Sequence, residues 1–140
     1  MADRTQLYHS GCLTDGWRLF GAHPATEKGA YGWWFNVWAP RAKAVSVVGD
    51  FNGWDPEETP LAPKGEFWQG FVPDLPVYTS YKYAVTGADG KLRYKADPYG
   101  FHTETRPGTA SKLYDIEHFV WTDEAFRKAK QPVYHQPLNI

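Results

Sequence analysis

A chain of 140 residues with 15 Lys plus Arg against 16 Asp plus Glu carries a formal charge of −1, and 17% of it is aromatic. This length holds one domain with one sizeable core and is too short for a (β/α)₈ barrel of roughly 250 residues. The near-zero charge argues against a nucleic-acid binder, and the aromatic load excludes intrinsic disorder.

From the start, Met1 to Gln6 leads into no apolar stretch, so no secretory leader is expected. Nowhere do apolar residues run on for the roughly 18 positions that a membrane span needs. Cys12 is the single cysteine, which leaves no intrachain disulfide and no cysteine-built zinc site and points to a cytoplasmic protein. Residues 1–30 lack sustained periodicity and read as an irregular N-terminal segment. From 31 to 117, β-branched and aromatic runs alternate with turn residues. Trp33, Phe35 and Val37 share one face, and Trp34, Asn36 and Trp38 share the other. Val45 and Val47 share a face in the run 44–48, as do Trp68 and Val72 in 67–72. In 80–86, Tyr81, Tyr83 and Val85 oppose Ser80, Lys82 and Ala84. Further strands are expected at 91–96 and 112–116. Asn52-Gly53 supplies a turn that tolerates positive φ, and 87–90 reads as a hairpin loop. Six or seven such strands predict an all-β, immunoglobulin-like antiparallel sandwich, without the Cys…Trp…Cys pattern of a true immunoglobulin domain. Residues 118–140 are expected to form a short helix over 122–130 and then a linker. Acids in the first turn, bases in the last, and Asp123–Arg127 and Glu124–Lys128 at i,i+4 spacing support that helix.

Catalytic and metal motifs are missing. The five histidines are scattered without ligand spacing, and neither a nucleophile elbow nor a phosphate-cradling glycine loop is present. Glu57-Glu58 is an adjacent pair in a proline-bounded loop, not two carboxylates facing across a sugar. No cofactor, metal or catalytic residue is therefore expected. The aromatics carry the functional signal. Trp33, Phe35, Trp68, Tyr81 and Tyr83 fall on inward faces, whereas Trp34, Trp38, Trp54 and Tyr94 fall outward. An outward ring suits either the apolar C–H face of a pyranose or a neighbouring protein domain. Single-stranded nucleic acid on aromatic platforms is the third reading, and the missing basic stripe disfavours it.

The run Gly49-Asp50-Phe51-Asn52-Gly53-Trp54-Asp55, with Asn36-Val37-Trp38-Ala39-Pro40 and Val45-Ser46-Val47-Val48, resembles carbohydrate-binding module family 48. Phe20-Gly21-Ala22-His23-Pro24, Tyr81-Lys82-Tyr83, Lys95-Ala96-Asp97-Pro98-Tyr99 and Arg106-Pro107-Gly108-Thr109-Ala110-Ser111 narrow the likeness. In that order they look like the N-terminal part of glycogen branching enzymes in glycoside hydrolase family 13. The resemblance spans roughly 17–140. It implies a non-catalytic module that binds α-1,4-glucan or malto-oligosaccharide and precedes a catalytic barrel of the same parent chain, involved in glycogen biosynthesis. The catalytic carboxylates of that family lie on the barrel and have no counterpart here. Carried over by motif, Trp54 is the stacking platform and Lys82 a hydroxyl donor. Tyr94 stands at a second Trp position and Ser111 near an Asn position. Asn52 would bond further hydroxyls. The alternative is a structural interdomain packing module with little sugar affinity, in which Trp34, Trp38 and residues 1–30 bury against the barrel.

Overall fold

The computed structural model describes residues 4–129. Two helices and nine strands follow in chain order: α1 (Arg4–His9), β1 (Gly21–Glu27), β2 (Ala30–Trp38), β3 (Ala44–Gly49), β4 (Ala62–Lys64), β5 (Phe67–Pro73), β6 (Ser80–Thr86), β7 (Leu92–Lys95), β8 (His102–Thr103), β9 (Ser111–Lys112) and α2 (Glu124–Ala129). They form a four-stranded sheet in the order β1-β2-β5-β4 and a five-stranded sheet in the order β3-β6-β9-β8. β7 pairs with the same edge of β6 that β9 continues, and every pairing is antiparallel. The result is an irregular β-sandwich. No helix among the described residues is long and apolar enough to cross a membrane.

Alternation explains how the sheets face each other. Trp33, Phe35 and Val37 of β2 pair with Val72, Gly70 and Trp68 of β5 and point at the second sheet. Val45 and Val47 of β3, opposite Val85 and Tyr83 of β6, point back. The Phe35 ring meets Tyr81 edge-on at 5.3 Å. Each such side chain contributes roughly 1.5–3 kcal/mol by leaving water. Trp33 and Trp68, whose indole N–H groups must be satisfied indoors, donate to the Leu75 and Ala39 carbonyls at 2.9 and 3.1 Å.

The N-terminal segment departs from the sequence expectation. It contains a helix and a seven-residue strand, β1, paired along its length with β2. Pro24 hid this strand, but β1 is an edge strand, where a missing N–H does no harm. The segment packs on its own sandwich. Tyr8 of α1 meets Phe20 at 4.9 Å and Trp38 at 5.6 Å, covering part of the outer face of the first sheet. Phe20 is fully buried there against Phe67 and Tyr99.

At the other end, α2 begins at Glu124, two residues later than expected, and buries no residue. Its Glu124–Lys128 pair forms at 2.7 Å. Lys130 and the segment 131–140 expected to be a linker lie outside the described residues.

Candidate functional site

The outer face of the second sheet carries Lys82 and Tyr94. Lys82 opposes Val48 of β3, and Tyr94 of β7 opposes Ala84 of β6, so register puts these four side chains on the face opposite Tyr81 and Tyr83. Val48 and Ala84 are nonetheless buried, so the outward side chains form a closed layer there. Tyr94 is 48% exposed and Lys82 is half-buried.

Trp54 follows the end of β3, the strand that pairs with Lys82. β3 ends at Gly49, which is extended and pressed so close to β6 that a Cβ would come within 2.4 Å of the Ser80 carbonyl oxygen. A 3₁₀ turn, Asp50–Asn52, follows, and Gly53 and Trp54 then take left-handed conformations with φ of 62° and 61°. Gly53 does so freely, whereas Trp54 must be held. Its backbone N–H donates to the Gly49 carbonyl at 2.9 Å, and its indole N–H donates to Asp50 Oδ1 at 2.7 Å. One bond holds the backbone of this half-buried tryptophan and the other its indole.

Asn52 builds the turn from inside. Its Oδ1 accepts the Gly49 N–H at 3.0 Å, and its Nδ2 donates to the Val47 carbonyl and to Thr59 Oγ1, both at 2.9 Å. With both amide protons committed, Asn52 has no donor left for a ligand. Its place in the motif is explained by the turn.

Ser111 is not brought to this face. It pairs with the inward-pointing Tyr81, and parity therefore turns it inward, where it is 0% exposed and accepts the Asp97 N–H at 2.9 Å. The residue of β9 that shares the outward face is Lys112, opposite Ser80. With only two residues in β9, no alternation was available to reveal this.

Two further residues escaped sequence reasoning. Lys82 Nζ donates to Thr109 Oγ1 at 2.7 Å. Thr109 sits in a loop closed by Glu104, whose carboxylate accepts the Ala110 N–H and the Ser80 hydroxyl at 2.9 and 3.0 Å. Those bonds, helped by Lys112 and Lys82, hold the Glu104 carboxyl below the usual range. The signal was the Arg-Pro-Gly-Thr run, where a Cβ on Gly108 would fall 2.6 Å from Glu104 Oε2.

Beneath the face lies a buried carboxylate. Tyr81 and Tyr83 donate their hydroxyls to Asp97 Oδ2 at 2.7 and 3.2 Å, and Oδ1 accepts the Tyr99 N–H at 2.8 Å. The Tyr-Lys-Tyr alternation thus has two jobs: the tyrosines clamp Asp97 inside while the lysine faces out. Burial raises the Asp97 carboxyl above its ordinary value despite these bonds, and burial beside Asp97 raises both tyrosines.

Trp34 and Trp38 lie on the outer face of the other sheet, 37% and 43% exposed. Trp38 rests on Tyr8 and donates its indole N–H to Glu66 at 3.3 Å. No cluster of metal-ligating side chains occurs among the described residues. The outer face of the second sheet offers aromatic surface at Tyr94 and a hydrogen-bond donor at Lys82.

The family model for carbohydrate-binding module 48 (isoamylase N-terminal domain) matches residues 19–100. The 1,4-alpha-glucan branching enzyme GlgB of Bacillus cytotoxicus is 39% identical over 144 residues, covering 100% of this chain and 22% of that protein. GlgB of Butyrivibrio fibrisolvens is 43% identical over 142 residues, again with 22% of its length covered. The chain thus spans under a quarter of these relatives. Among solved structures, the Klebsiella pneumoniae pullulanase complexed with maltotriose matches 69% of this chain and 9% of its own, with a TM-score of 0.54 and 22% identity. The pullulanase of Bacillus acidopullulyticus matches 69% of this chain and 12% of its own, with a TM-score of 0.53 and 20% identity. Those two likenesses concern the fold.

Proposed function

This chain belongs to carbohydrate-binding module family 48, and we propose that it holds an α-1,4-glucan on the outer face of its second sheet. The observation that carries this reading is the indole of Trp54, held by Asp50 in the turn that follows β3, with Lys82 and Tyr94 outward on the same sheet. A held ring loses little conformational freedom when a pyranose stacks on it, so more of the contact energy appears as binding. Tyr94 offers a second flat surface, and the Lys82 ammonium, positioned by Thr109, has protons left for sugar hydroxyls. Asn52 and Ser111 support the face from within and leave the ligand contacts to the others. An open face gives modest affinity, of about millimolar order.

In a longer protein of the branching-enzyme type, the module would keep a glucan chain near the catalytic domain by raising its local concentration. We place it in the cytoplasm, where the solitary exposed Cys12 would stay reduced. Affinity electrophoresis tests the glucan reading. Glycogen in the gel should retard the wild-type chain and leave Trp54→Ala unretarded; equal mobility of the two in glycogen would refute it.

A second reading concerns the far end of the chain. Phe119, Val120, Trp121 and Phe126 stand well out in solvent, with Trp121 73% exposed. Such a strip suits docking against a further domain. The chain should then self-associate at high concentration in gel filtration, and Phe119→Ser/Trp121→Ser should restore a monomer. A wild-type chain that stays monomeric would remove this reading.

A further inference from the structure

Away from the proposed glucan face, a cleft lies between α1 and the outer face of the first sheet. It encloses about 510 Å³ and is lined by Arg4, His9, Leu19, Asn36, Lys64, Glu66, Phe67 and Gln69, among others. That volume lies within the roughly 300–1,000 Å³ of small-molecule sites. Its floor is the cross-strand pair Asn36 and Gln69 of β2 and β5.

Asn36 is the informative residue. It is 2% exposed, and its Nδ2 donates to the Leu19 carbonyl at 2.8 Å. That bond fixes which way the amide points, because only the nitrogen can donate. Its Oδ1 is left buried without a hydrogen-bond partner among the described residues. A buried carbonyl oxygen in that state is costly, and the cost falls when a donor arrives.

The lining restricts what the donor is. Arg4 is paired with Asp15 at 3.1 Å and His9 with Glu66 at 3.1 Å. An anion would meet the Asn36 oxygen and the Glu66 carboxylate, and a cation would meet Arg4 and Lys64. An apolar molecule would leave the Asn36 oxygen unsatisfied. A neutral group that both donates and accepts at several points suits the mixture: it can donate to Asn36 Oδ1, accept from Lys64, and do both with Gln69. Sugar hydroxyls have that character.

We propose that this cleft is a second saccharide site, on the opposite sheet from Trp54, with Asn36 Oδ1 and Gln69 as its polar floor. It rests on the orphaned oxygen and the lining, and it stands whether or not Trp54 binds glucan. The test is amide chemical-shift mapping of the ¹⁵N-labelled chain with maltotriose, with inorganic phosphate as the counter-probe. Maltotriose should move the Asn36, Gly65 and Gln69 amides in the wild type and equally in Trp54→Ala, and phosphate should not. Gln69→Ala, at a half-buried position, should weaken the response about fivefold, the loss of one hydrogen bond. Asn36→Leu should abolish it, and Gln69→Ala keeps the test decisive where that variant does not fold. Unmoved cleft amides, shifts that vanish in Trp54→Ala, or shifts produced by phosphate instead would each overturn the proposal. The Lys82 and Tyr94 amides report on the other face in the same spectra, so failure of one site is read separately from failure of the other.

Discussion

Asn52 shows how one side chain links sequence motif to surface geometry. Its three hydrogen bonds tie the end of β3 to the turn and to Thr59, and Trp54 is positioned by the turn so formed. Asn52→Ala should cost about 2–3 kcal/mol in urea denaturation, and the loosened turn should weaken any glucan response as well. A loss below about 0.5 kcal/mol would mean the turn holds itself without the amide. The same residue marks the limit of legibility at this scale. Asn-Gly was readable as a turn, yet the direction of the Asn52 amide was not, because it depends on Thr59 seven residues on. Ser111 was misplaced for a related reason: its inward turn follows from pairing with Tyr81, thirty positions back, and not from its neighbours.

At the scale of elements, the strands with clean alternation were legible. β2 and β6 bury the faces that their period of two predicts. β1 was not, since Pro24 and small residues blur its pattern and long-range pairing with β2 makes it a strand. The tie between β6, β9 and the Asp97 turn has a pH signature. The Asp97 carboxyl titrates higher in the folded chain than in the unfolded one, where an aspartate titrates near 3.9. The folded state therefore binds this proton more tightly. The resulting stabilisation is full below the unfolded value and is lost as pH rises through the folded value. Relative to Asp97→Asn, which has no proton to exchange, the wild type should lose stability as pH is raised from about 4 toward 7. Urea melts of both proteins across that range read the slope, whatever constant offset the substitution brings. A stability difference independent of pH would show that burial does not govern this carboxyl.

For the molecule as a whole, the two outer faces are finished differently. The first sheet is partly covered by the chain's own N-terminal segment, with Tyr8 on Trp38 and Phe20 buried beneath. The second sheet offers Lys82 and Tyr94 beside the turn that fixes Trp54. The excess of aromatics divides accordingly among the sandwich core, the N-terminal cover, the outer face of the second sheet and the strip from Phe119 to Phe126. The sandwich and its inward aromatics were visible in the sequence as alternating runs. The cover was not, because it arises from contacts between segments about 30 to 60 residues apart, such as Tyr8 with Trp38 and Phe67. The central claim is that Trp54 is a prepared surface for a glucose ring. Titrating the chain with maltoheptaose while following tryptophan fluorescence tests it most directly. The account predicts a saturable change with a dissociation constant of about millimolar order that disappears in Trp54→Ala while the fold survives. The same saturable change in Trp54→Ala, or no change in the wild type at tens of millimolar sugar, would contradict it.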